Sequence, residues 1–360
     1  MAPLIDLATS TTEQQWYWTW AELARSPSVR DGMRVGDEWK QRQKAVKWLW
    51  SFKDASGLKQ TTITTAATFL HRFYMRETFQ TYEPLLTSAA AVFLACKSEE
   101  DPKSIKTVVQ AVLDIKRKGY ASAREPHQIN SRTEDFAKVR TQLTVVEEAL
   151  LHALCFDLTV RDPHVLAIET AERMWKEPEK AEAVARAAWA FLNDSLALPL
   201  CIIHRPHLLA AASLVLGCAE TSTPLPDPPL SVGEQRTLYE AEAEEGEEAS
   251  FEPEVYWTEV LDVRPHEVEA ATKDMLRGYK LAVDDFLIER GEKLSEWIKP
   301  LLASLPRPAA PPAPPAPAQP IAPAAASIAA PLVGLDHAAP LAPKADAGQE
   351  DVAMESGTAA

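Results

Sequence analysis

Glycine is scarce in this chain, 12 among 360 residues, and no two of the four cysteines stand as a C-x-x-C pair. With so little glycine come no G-x-x-x-x-G-K-[ST] loop and no dinucleotide-binding fingerprint, and neither G-x-S-x-G nor H-E-x-x-H occurs. Cys96, Cys155, Cys201 and Cys218 sit singly in apolar runs, the pattern of reduced thiols in a cytosolic or nuclear protein rather than of a disulfide framework. Positive charge is also short: 37 Lys and Arg against 52 Asp and Glu leave a formal charge of −15. That balance argues against the basic surface on which nucleic-acid binding depends, so no direct nucleic-acid partner is expected. Eight glutamates between Glu240 and Glu254 carry much of the excess. No apolar run is long enough to span a membrane and Met1–Ser10 does not resemble a secretory signal, so the chain reads as soluble and intracellular, without a membrane partner.

Chemistry-bearing clusters are missing as well. The nearest approach to a metal set, Cys201-x-x-His204-x-x-His207, straddles Pro206 with no fourth ligand and reads as a turn entering a helix. Paired acids such as Glu99/Glu100 and Glu147/Glu148 fit solvated helix faces. No catalytic constellation, metal site or cofactor is expected.

What the chain has is helical periodicity without strand-like alternation, so the expected class is all-α. At 360 residues the length suits two domains and extras. Residues 1–36 form an N-terminal segment in which an aromatic helix is expected at 10–25, rich in Trp16, Tyr17, Trp18 and Trp20 and ended by Ser26-Pro27-Ser28. A first bundle over 37–160 is expected to hold helices near 37–53, 60–75, 82–98, 102–115 and 134–155. The last shows Phe136, Val139, Leu143, Val146, Leu150 and Leu154 at spacings of three and four. A second bundle over 161–300 contains Pro163–Trp175, Glu177–Ala197, Pro206–Glu220 and a helical stretch from Val255 to Glu289, interrupted by a Pro-rich then Glu-rich insertion at about 221–254. The remainder, 301–360, is Pro/Ala-rich, holds 12 of the 28 prolines and reads as a disordered tail.

Tyr82–Asp101 is the organising stretch: Pro84 opens a helix that is apolar or small around nearly its whole circumference and ends at Lys97-Ser98-Glu99-Glu100-Asp101. Pro206–Ala219 repeats it at constant offset, Pro84 on Pro206, Leu94 on Leu216 and Cys96 on Cys218. Lys97 falls on Ala219, so the packing role is duplicated and the charged end is not.

Two tandem bundles, each with a small-residue central helix, resemble the cyclin fold of two cyclin boxes. Phe93-Leu94-Ala95-Cys96-Lys97-Ser98-Glu99-Glu100 is similar to the F-L-A-x-K-x-E-E signature of that family. His71-Arg72-Phe73-Tyr74-Met75, the entry Trp16-Tyr17 with Ser26-Pro27-Ser28, and Leu150–Leu158 (LLHALCFDL) look like transcriptional cyclins of the K and T types, and Asn193–Cys218 resembles the T type. The resemblance implies a non-catalytic regulatory subunit of a cyclin-dependent kinase. It assigns kinase binding to Lys97 and Glu147, with Leu94, Leu151, Phe156 and Leu158 as apolar contacts and Trp16 and Tyr17 from the entry helix. It further implies a kinase acting on the C-terminal repeats of RNA polymerase II in transcription elongation, and a place in the nucleus. Where cell-cycle cyclins carry an apolar M-R-A-I-L groove, this chain has Gln41-Arg42-Gln43-Lys44-Ala45 near Trp48, which weighs against substrate docking of that kind. A TFIIB-like general transcription factor with tandem cyclin-like repeats is the alternative, and a non-catalytic helical scaffold a third reading. The acidic balance and unpaired cysteines count against the TFIIB-like reading.

Overall fold

A computed structural model describes residues 11–119, 133–226, 257–280 and 285–305. Residues 120–132 of the expected loop, most of the acidic insertion and the Pro/Ala-rich tail from 306 onward lie outside these. Every regular element among the described residues is helical.

The first bundle comprises α4 (Val35–Ser56), α5 (Gln60–Phe73), α6 (Pro84–Ser98), α7 (Ile105–Gly119) and α8 (Glu134–Ala153). Every residue of α6 from Leu85 to Cys96 is buried, and α4, α5, α7 and α8 all pack on it. Small side chains permit that crowding: Ser88 lies close enough to α4 to donate its hydroxyl to the carbonyl of Ala45 at 3.0 Å. Pro102 does not open α7. Ser104 does, its Oγ accepting the N–H of Thr107 at 3.1 Å, and the helix runs through the basic stretch to Gly119.

The second bundle repeats the plan with α9 (Pro163–Met174), α10 (Pro178–Ser195), α11 (Pro206–Thr221), α12 (Trp257–Val260), α13 (Pro265–Lys280) and α14 (Asp285–Ser304). Here α11 is buried from His207 to Ala219, and α9, α10, α13 and α14 surround it. Gly217, the counterpart of Ala95, is where α10 comes nearest: a Cβ there would lie 2.8 Å from the Val184 carbonyl oxygen. The helical stretch expected from Val255 to Glu289 holds α12, α13 and the start of α14, and α14 continues beyond 300 with Leu305 buried.

Polar contacts join the bundles. Gln60 donates to Asn193 at 2.7 Å, and the Nε2 of His71 donates to the Leu196 carbonyl at 3.0 Å. Leu196 packs into the first core, whereas Trp39 of α4 packs against the second.

The single aromatic helix expected at 10–25 is broken into two one-turn helices, α1 (Thr11–Gln14) and α2 (Trp20–Leu23), and a third, α3 (Pro27–Arg30), follows. Thr19 and Glu22 form a reciprocal capping box that starts α2 afresh. The N–H of Trp18 bonds the Ile202 carbonyl at 2.8 Å instead of a helical partner. Ser26-Pro27 begins α3 rather than ending a helix, with Ser26 as N-cap.

Candidate partner-binding face

The ends of α6 and α8 meet where the buried face of α6 runs out. Lys97 Nζ lies 2.5 Å from Glu147 Oε1, and the two side chains are 51% and 11% exposed. The same ammonium sits 4.1 Å from the centre of the Phe93 ring. One of its donors is engaged by Glu147, and the others are open to solvent or to a partner's carbonyls. Glu99 accepts from Thr65 at 2.8 Å, and Asp101 accepts from the Lys59 N–H and pairs with Lys103. The acids beside Lys97 therefore fasten the end of α6 to α5 and to the start of the next turn. The Lys59 N–H and the Lys103 ammonium outweigh burial and hold the Asp101 carboxyl below the usual range.

The chain leaves α8 by an unusual route. Cys155 and Phe156 both have left-handed backbone, φ 51° and 57°, which costs an L-residue about 1–2 kcal/mol. The turn directs Phe156 outward at 64% exposure, edge-on to His152 at 5.5 Å. Leu151 and Leu158 are half-buried against the first core. An exposed aromatic on the segment leaving α8, the helix whose Glu147 pairs with a half-exposed cation, is a surface suited to docking.

The sequence-derived set divides. Lys97 and Glu147 are in contact, with Leu151, Phe156 and Leu158 at least partly accessible on the adjoining segment. Leu94 is 3% exposed and supports the face from beneath. Trp16, expected at a partner contact, is 1% exposed: its indole N–H donates to Asp157 at 2.7 Å and its ring lies beneath Arg72 and Arg76. It packs the first bundle and offers no surface. Tyr17 is half-buried, and burial, then Glu13, pushes its hydroxyl up to about 12. Val145, 58% exposed on α8, was not expected. Its position off the Val139–Leu143–Val146–Leu150 stripe was the available signal.

Among the described residues no group of three or more His, Cys, Asp or Glu is placed to hold a metal ion, and no helix is long and apolar enough to cross a membrane. His204 bonds Asp274 at 2.8 Å.

Residues 16–159 match the family described as Cyclin, N-terminal domain. Fold and match agree: two tandem bundles with the cyclin fold, the first of them similar to the cyclin N-terminal domain family over those residues. Curated relatives it resembles include cyclins of the K and T kinds. Human Cyclin-K is 28% identical over 205 residues, 57% of this chain and 33% of the relative. Arabidopsis thaliana Cyclin-T1-2 is 30% identical over 203 residues, 56% of this chain and 42% of the relative. Cyclin pch1 of Schizosaccharomyces pombe is 28% identical over 204 residues, 57% of each. The chain thus matches about a third to just over half the length of these relatives. Among solved structures, a chain of the yeast RNA Pol II CTD kinase CTDK-1 complex matches with TM-score 0.56 at 15% identity, over 83% of this chain and 86% of that one. A chain of the CAK complex of Chaetomium thermophilum matches with TM-score 0.51 at 16% identity, over 82% and 91%.

Proposed function

We propose that this chain is the cyclin subunit of a transcription-associated cyclin-dependent kinase, binding it through the α6–α8 face and activating it toward the C-terminal repeats of RNA polymerase II in the nucleus. The observation carrying this reading is the Lys97–Glu147 pair, with Phe156 turned outward on the segment that leaves α8. A helix of the kinase laid against that face would give up backbone carbonyls to the ammonium and an N–H to the free oxygen of Glu147, while Phe156, Leu151 and Leu158 bury apolar surface. Seating that helix inward pairs its glutamate with the kinase's ATP-site lysine, the arrangement phosphoryl transfer requires. The cyclin performs no chemistry; it binds the active kinase conformation better and shifts the population toward it. The K- and T-type relatives and the cyclin-fold neighbours support the transcriptional assignment.

The test is capture of a kinase by the tagged full chain, identified by mass spectrometry, with activity measured on a polymerase repeat peptide. Lys97→Ala with Glu147→Ala is expected to reduce capture and activation at least tenfold. Unchanged capture and activation would overturn the reading, and DNA binding that survives moderate salt would favour the TFIIB-like alternative.

A further inference from the structure

A narrow cleft between the bundles, away from the Lys97–Glu147 pair, has unused donors in its walls. It is lined by Arg72 of α5, by Arg161 just before α9, by Arg205 and His207 at the start of α11, and by Glu13 and Tyr17 of the entry segment. Among the described residues, only three buried side-chain nitrogens and oxygens lack a hydrogen-bond partner, and two of them, Arg72 Nε and His207 Nε2, belong to this lining. Both residues are more than nine-tenths buried, at 7% and 5% exposure. An orphaned buried donor costs about 1–3 kcal/mol, so two in the wall of one cleft call for an occupant.

Charge, dipole and size agree on its chemistry. Three arginines face one lining carboxylate, Glu13, whose approach to Arg161 is a long 3.8 Å. Arg205 lies 3.9 Å from Glu267. Arg72 makes a marginal 3.5 Å contact with the Thr159 carbonyl and lies over the Trp16 ring. The sixteen-residue α11 points its N-terminus here without a side-chain cap from Arg205; Pro206 has no N–H and Leu208 bonds the Arg205 carbonyl, so the dipole's positive end is presented through the His207 N–H. Burial first, then Arg161 and Arg205, hold the His207 imidazole down to about 4; the field of these cations reaches the ring. The space left for water-sized occupants is about 40 Å³, room for about three waters. That is far below the roughly 300 Å³ at which small-molecule pockets begin, which rules out a nucleotide.

We infer that this cleft binds a single tetrahedral oxyanion, inorganic phosphate or the phosphoryl group of a phosphorylated residue, through Arg72, Arg205, His207 and the N-terminus of α11, with Arg161 alongside. Two of the guanidiniums present fork donors matched to phosphate oxygens, and His207 supplies a further N–H when its proton sits on Nε2.

The full chain is titrated with inorganic phosphate against chloride at equal ionic strength, following thermal stability and the ¹⁵N resonance of His207. Parallel titrations use a short phosphoserine peptide and its unphosphorylated form. Saturable stabilisation by phosphate, with a His207 shift, is expected, and Arg205→Gln and Arg161→Gln, both at partly exposed positions, should each weaken binding at least tenfold. Response to inorganic phosphate identifies a free-anion site; response to the phosphopeptide alone identifies a partner's phosphoryl group. No saturable response to either, or equal response to the unphosphorylated peptide, overturns the inference, and the His207 resonance of the unmodified chain decides this even if both variants misfold.

Discussion

The Nε2 of His71 on α5 donates to the carbonyl of Leu196 at 3.0 Å, tying the first bundle to the chain leaving α10. Its Nδ1 faces Arg42 Nη1 at 3.4 Å, so the neutral ring is the form that satisfies both contacts. Burial, reinforced by Arg42, holds its pKa down to about 3. In the unfolded chain the ring takes up its proton near the usual 6.5, while the folded form resists until about 3. Stability is therefore complete above about pH 6.5 and is lost as pH falls through the interval down to 3, at up to about 1.4 kcal/mol per pH unit. His71→Gln, which retains a donor but cannot titrate, should be less stable at pH 7.5 and converge on the parent as pH falls. Urea midpoints at pH 7.5, 6 and 5 check this; parallel pH curves would refute it.

Phe156→Gly separates binding from folding. Removing an exposed ring loses little burial, and relief of the left-handed strain is offset by glycine's greater freedom when unfolded. Stability should change by less than about 1 kcal/mol in either direction, while kinase capture falls at least tenfold. A melting curve and a pull-down on one preparation suffice.

Gly217→Ala should destabilise by about 1–3 kcal/mol. The added methyl meets the Val184 carbonyl at 2.8 Å and the Ala188 nitrogen at 3.2 Å, both backbone atoms of α10 that cannot swing aside. Chemical denaturation would read the loss, and an unchanged midpoint would mean the helices separate easily.

Arg42 is 1% exposed, paired with Glu38 at 2.7 Å and donating to the Tyr74 carbonyl at 2.9 Å. Arg42→Met should cost about 3–5 kcal/mol because it strands the buried Glu38 carboxylate. Adding Glu38→Gln should recover part of that loss. If the double variant is no better than the single one, the stranded charge is not the cause.

The helical class and the two central helices were legible because a helix buried all round leaves a composition that little else produces, small residues among large apolar ones with proline in front. Lys97 stood out because its counterpart is Ala219, and Glu147 came through family resemblance alone. The role of Arg42 was not legible: within the polar Gln41–Ala45 stretch it is a buried hub bonded to the carbonyls of His71 and Tyr74, partners 29 and 32 residues away. The break between Trp16 and Trp20 escaped for a similar reason. Local propensity favours a continued helix there, and the carbonyl of Ile202, far along the chain, decides otherwise. The outward turn of Phe156 depends on two successive left-handed residues that are not glycine, which no propensity scale anticipates.

The entry segment has a bearing on how truncations behave. Trp16 is held by Asp157 of the first repeat, Trp18 by Ile202, and Trp20 by stacking on Trp39 and a 3.0 Å bond to Asp274 of the second. These three residues act as a clasp across both halves, so a chain shortened to begin at Ser26 would lose what aligns them. On the proposed reading, failure of such a fragment to capture a kinase reports on a released clasp, whereas substitutions at Lys97, Glu147 and Phe156 probe the proposed face itself.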